Sequence, residues 1–136
     1  SLQLKFSSHM LSSSISQCLS WLSNNLIPNY TITTLQIDYL PLEDYSIQFL
    51  CDVLGKSKNL LHLGLFNIHW NWINWKKLTQ GLSENRSLRI LRLDANNDVD
   101  HRSRQVLAKA LENRHSPLIL RVGDTEKIFG DMQGRY

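Results

Sequence analysis

Two hydrophobic rhythms alternate along the chain. The first is a short leucine spacing, LxxLxL, clearest in Leu88-Arg89-Ile90-Leu91-Arg92-Leu93 and again in Leu60, Leu63 and Leu65. Its last three positions alternate apolar and variable, the period of a strand with one buried face. The second is a set of pairs four residues apart: Cys18/Leu22, Leu50/Leu54, Leu78/Leu82 and Leu107/Leu111. Such pairs lie above one another on one face of a helix. Polar clusters close each helical stretch, for example Lys56-Ser57-Lys58-Asn59 and Glu84-Asn85-Arg86-Ser87.

The two rhythms repeat as one unit. From Ile32, Leu35 and Ile37 to Leu60, Leu63 and Leu65 is a step of 28 residues, from there to Leu88, Leu91 and Leu93 another 28, and from Leu91 and Leu93 to Leu120 and Val122 a step of 29. Leu2 and Leu4 form one more pair, 33 residues ahead of Leu35 and Ile37, with Leu26-Ile27-Pro28-Asn29 lengthening the first link. A single strand-helix unit cannot bury its own apolar stripe, so the units must stack and share a core. Identical units related by translation place their strands in parallel.

The pattern resembles leucine-rich repeats of the ribonuclease-inhibitor-like class, also found in the C-terminal region of NOD-like receptors. The likeness covers nearly the whole chain, roughly residues 1–123. It implies an α/β fold: a right-handed solenoid of about five strand-helix units, with a parallel sheet on the concave side and helices on the convex side. The units fall near 1–28, 29–59, 60–87, 88–116 and 117–123, leaving 124–136 as a C-terminal cap or tail in which Ile128 and Phe129 fold over the end. One departure has a structural consequence. Such repeats place Asn or Cys at the ninth position to bond the neighbouring loops, and here those places hold Ser7, Leu40, Ile68, Asn96 and Thr125. Only Asn96 fits, so that ladder is largely missing and the turns are expected to be looser or differently closed.

Alternation points the residues between the leucines at the concave face. They include Gln36, Asp38, His62, Gly64, Phe66, Arg92, Asp94 and Arg121. Arg92 and Arg121 fall on adjacent strands, where two planar guanidiniums suit an acidic patch of a partner; Asp94 shares their face and can neutralise one of them. Phe66 lies between Asp38 and Asp94 in the third column and is a candidate apolar anchor. In the cluster His69-Trp70-Asn71-Trp72-Ile73-Asn74-Trp75, Trp70 and Trp75 align with Leu42 and Ile47 and belong to the core. Trp72 aligns with Asp44, on the rim between strand and helix, and is a candidate contact residue. Trp21 reads as a packing or capping residue. Lys76, Lys77, Arg102, Arg104, Lys109 and Arg114 form a basic row on the outer helices.

Composition narrows the function classes. At 136 residues with a net charge of +3, the charge is too weak for nucleic acid to be an expected partner. No apolar run approaches the ~20 residues of a membrane helix, and no secretory signal opens the chain. The five histidines fall at unrelated repeat positions, and there is no HExxH or P-loop motif. No enzyme activity, cofactor or metal is expected. Cys18 takes a leucine place and is expected to be a buried, inert thiol. Two sequons begin at Asn29 and Asn85. The expected function is protein binding through the concave face, in a cytoplasmic chain preceded by further domains. The resemblance implies the ligand-sensing or autoinhibitory repeats of an innate-immunity receptor of the NOD-like kind. The alternative is an adaptor or assembly factor whose repeats hold a client protein or complex subunit.

Overall fold

A computed structural model describes residues 1–7, 9–29, 31–41, 43–93, 101–122 and 125–129. Five short strands, β1 (Leu2–Lys5), β2 (Thr34–Asp38), β3 (His62–Phe66), β4 (Ile90–Arg92) and β5 (Leu118–Val122), form a parallel sheet in sequence order. A sixth, β6 (Thr125–Phe129), joins the outer edge of β5 in the antiparallel sense. The register carries the repeat spacing directly into space. Leu2, Leu35, Leu63, Leu91 and Leu120 stand side by side across the five parallel strands. Leu35, Leu63 and Leu91 are no more than 1% exposed, as a face sealed by helices requires.

Four helical stretches cover that face: α1 (Ser12–Trp21), α2 (Asp44–Lys56), α3 (Trp72–Glu84) and α4 (His101–Glu112). Leu50/Leu54, Leu78/Leu82 and Leu107/Leu111 are all buried and join the strand leucines in one core. Trp70 and Trp75 are buried too, meeting edge to face at 5.3 Å between ring centres. The Trp75 indole N–H donates to the Ser103 carbonyl and so ties α3 to α4.

The first unit departs from the expectation. Cys18 is exposed, and the buried stripe of α1 is Ile15, Leu19 and Leu22. These follow helical spacing, so Leu22 of the expected pair faces the core and Leu19, in place of Cys18, packs above it. The helix then widens into a π-helical stretch, Leu22–Leu26, and ends in the turn Ile27–Asn29. This absorbs the extra residues of the first link and buries Ile27. Trp21 is 57% exposed and neither packs into the core nor caps it.

Asn96 lies outside the described residues, and the described turns are closed by devices other than a ninth-position Asn. After β2 and β3, Tyr39 (φ 60°) and Asn67 (φ 54°) take the left-handed conformation at equivalent places, while Leu40 and Ile68 are buried. At the helix-to-strand end a polar ladder joins the units. Asn85 donates from Nδ2 to the Leu54 carbonyl and accepts from the Leu88 N–H, both at 2.8 Å. Ser57 accepts from the Leu60 N–H in the unit before. In the unit after, Arg114 donates to the carbonyls of Leu82 and Leu88 and to Ser116. Ser87 and Ser116 donate to the Ser57 and Arg86 carbonyls.

Arg114 is therefore a correction to the basic outer row: it is 2% exposed and structural. Burial first, and the charge of Arg89 second, pull its guanidinium down to about 10. It stays protonated at neutral pH, held by neutral oxygens. The amide of Asn85, which begins one of the two sequons, is buried and engaged in the ladder. Ile128 is 45% exposed, so it does not fold over the end of the core; the segment closes the stack by strand pairing instead.

Candidate functional site

The outward face of the sheet is built by register. Gln3, Gln36, Gly64, Arg92 and Arg121 form its central row, each paired with the next across adjacent strands. Thr34, His62, Ile90 and Ile119 form the row on one side, and Lys5, Asp38 and Phe66 the row on the other. Because β2 to β5 are anchored by buried leucines on their opposite face, the side chains they present rise from a stiff platform.

Gly64 leaves a gap in the central row, and the Phe66 ring fills it. A methyl group placed on Gly64 would meet Phe66 Cζ at 2.7 Å and Cε2 at 2.8 Å. The Arg92 guanidinium carbon lies 5.3 Å from the centre of the same ring. Glycine, phenyl ring and guanidinium thus form one stack, in which cation–π attraction orients the arginine. Phe66 is half-buried, and its ring turns toward the central row instead of standing free between its neighbours. Arg121 stands on the next strand in register with Arg92.

A shallow cleft of about 130 Å³ opens beside this stack, bordered by Thr34, Gln36, His62, Ile90, Arg92 and Arg121. Four of the residues singled out in the sequence, Gln36, His62, Arg92 and Arg121, therefore converge on one concavity. Asp38 is half-buried and accepts a hydrogen bond from Asn67 Nδ2 at 2.8 Å, which commits it to the left-handed turn. Asp94 lies outside the described residues. Trp72 is not on the sheet. It opens α3, is 39% exposed, and carries the Arg102 guanidinium 4.7 Å above its ring.

Two participants were missed in the sequence. Gly64 looked like one variable position among many, although glycine inside a strand signals a close approach by another group. Asn67 carried the signal of a residue that tolerates positive φ, but nothing in its spacing linked it to Asp38. Among the described residues, no group of three or more His, Cys, Asp or Glu could hold a metal ion. No described helix is long and apolar enough to cross a membrane. The chain matches no protein-family model and no curated protein.

Proposed function

We propose that this chain is a non-catalytic protein-binding domain of leucine-rich repeats of the ribonuclease-inhibitor-like class, wound in the right-handed sense, with the sheet as its concave side. It serves as the ligand-sensing or autoinhibitory part of a larger cytoplasmic receptor of the NOD-like kind. The observation that carries the binding reading is the Gly64–Phe66–Arg92 stack beside Arg121 and the cleft. It presents two guanidiniums and an aromatic edge from a rigid sheet. Arginine forks bind carboxylates in charge-assisted, often bidentate pairs, so the partner segment is acidic.

The test compares Phe66→Ala with Arg92→Ala, as a double variant, against the helix-side double variant Arg104→Ala with Lys109→Ala. Both arginine and lysine of the control are exposed. Proteins recovered from a cell extract on the immobilised wild-type chain are compared with those retained by each folded variant. The reading expects the sheet-face variant to lose the partner, with affinity reduced about thirtyfold for the loss of ~2 kcal/mol, and the control to keep it. Loss of the partner from the control alone would place binding on the helices.

A further inference from the structure

The helix side carries a second concavity, separate from the sheet face. A trough of about 1040 Å³ runs between α2 and α3. Its lining starts at Asp44, the first residue of α2, and reaches Arg89, beyond the end of α3. Thirteen helical residues span about 20 Å, so the trough is long as well as open, the length of about six residues of extended chain.

Glycine keeps it open. Gly55 is exposed on α2, and a methyl group placed there would meet nothing within 4 Å. Gly81, on the facing helix, would press a methyl only against Leu54 Cδ1, at 3.3 Å. Glycine is a poor helix former, and at Gly55 no close contact requires it. The lining is chemically graded. Leu61, 40% exposed, gives an apolar surface near Gly55, and Lys58, Arg86 and Arg89 gather at the same end with Glu84. Lys77 adds a further cation midway, and Asp44 stands at the opposite end. Arg89 is fixed there by bonds from Nη1 to the Arg86 and Ser87 carbonyls.

We propose that this trough is a peptide-docking groove, and that its occupant is an extended segment of a partner protein with an apolar side chain seated over Gly55 and Leu61 and carboxylates at the Lys58–Arg86–Arg89 end. Length argues for a peptide, and the excess of cations at one end argues for acid there. The site is independent of the sheet face, so each stands or falls alone.

A random peptide library displayed on phage is selected on the full chain, and the enriched peptides are synthesised and titrated by fluorescence anisotropy. The groove predicts sequences pairing acidic with large apolar residues. Gly55→Phe puts a ring into the trough from a position where an added Cβ meets nothing within 4 Å, and should weaken binding about tenfold or more, as loss of a central contact does. Gly55→Ala adds one methyl, favours the helix and should leave binding intact. Lys58→Glu with Arg86→Glu should weaken it comparably, and Phe66→Ala with Arg92→Ala should not change it. In a Cys18→Ser background, bound peptide should slow alkylation of Cys51, which lines the trough. Folding of each variant is checked by circular dichroism. Absence of enrichment, enriched peptides without acidic residues, undiminished binding to folded Gly55→Phe, or unprotected Cys51 would each overturn the proposal.

Discussion

Asn85 and Arg114 occupy the same place in successive units, and each reaches back to a leucine carbonyl of the preceding helix, Leu54 and Leu82 respectively. One is a neutral amide and the other a cation, yet both close the helix-to-strand turn from a buried position. The amide does so by bonding one carbonyl and one N–H. The guanidinium does so by donating to two leucine carbonyls and to Ser116.

The relationship predicts that neither residue can be truncated cheaply. Arg114→Ala removes the donor of the Leu82 carbonyl and the shorter of two side-chain bonds to the Leu88 carbonyl, and an unsatisfied buried group costs about 1–3 kcal/mol. A loss of roughly 2–5 kcal/mol is expected in urea unfolding, and about 1–3 kcal/mol for Asn85→Ala. Arg104→Ala, on the exposed helix face, should remain within about 0.5 kcal/mol. Equal effects of the two arginine changes would contradict the ladder.

The leucine row predicts a second contrast. Leu91→Ala removes a side chain with no exposure and should cost about 2–5 kcal/mol. Gln36→Ala, on the opposite sheet face, should cost less than about 1 kcal/mol. Chemical denaturation of the two variants reads the difference.

Tyr39 predicts a gain. It holds φ at 60° where the next unit uses Asn67 at 54°. Left-handed backbone costs a bulky residue roughly 1–2 kcal/mol, and asparagine tolerates it better. The Tyr39 side chain is 52% exposed and gives up little packing. Tyr39→Asn should therefore raise stability by about 1 kcal/mol, visible as a higher melting temperature; a lower one would mean the ring makes contacts that outweigh the strain.

The stack at the sheet face predicts coupling. Gly64→Ala puts a methyl where the Phe66 ring lies and drives the ring outward. The effects of Gly64→Ala and Phe66→Ala should then be non-additive by about 1 kcal/mol, since the second change removes what the first displaces. A double-mutant cycle measures it, and strict additivity would refute the packing.

The two thiols should differ in reactivity. Burial, with the Asp52 charge behind it, raises the Cys51 thiol above its ordinary range, while Cys18 is exposed. The thiolate is the nucleophile, so iodoacetamide near pH 8 should label Cys18 several-fold faster. Mass spectrometry of a time course resolves the two sites.

How much of this was legible depended on whether a residue's role repeats. Leu35, Leu63, Leu91 and Leu120 recur at fixed spacing, so the row, the parallel register and the placing of Gln36, His62, Arg92 and Arg121 on one face were all readable. Cys18 misled because it was placed by counting four residues back from Leu22, whereas the buried position one turn before Leu22 is Leu19. Arg114 misled because its equivalent in the unit before is Asn85, and nothing in charge or hydropathy links those two side chains; only the carbonyls they share do. The Phe66–Gly64 packing was hidden for a related reason: side-chain lean along a strand is decided by vacancies on neighbouring positions, which a column-by-column reading does not consider.

The reversal of β6 bears on self-association. A sheet made by translation has mutually matching borders: the free side of its first parallel strand can accept the last strand of another copy, again and again. Such head-to-tail contacts do not close and grow into filaments, the hazard of any uncovered strand edge. Because β6 runs opposite to the five strands before it, it occupies the edge of β5 at which translation would place one more parallel strand, of this chain or of another. The reversed pairing therefore ends the translational continuation of the motif at β5 (Leu118–Val122).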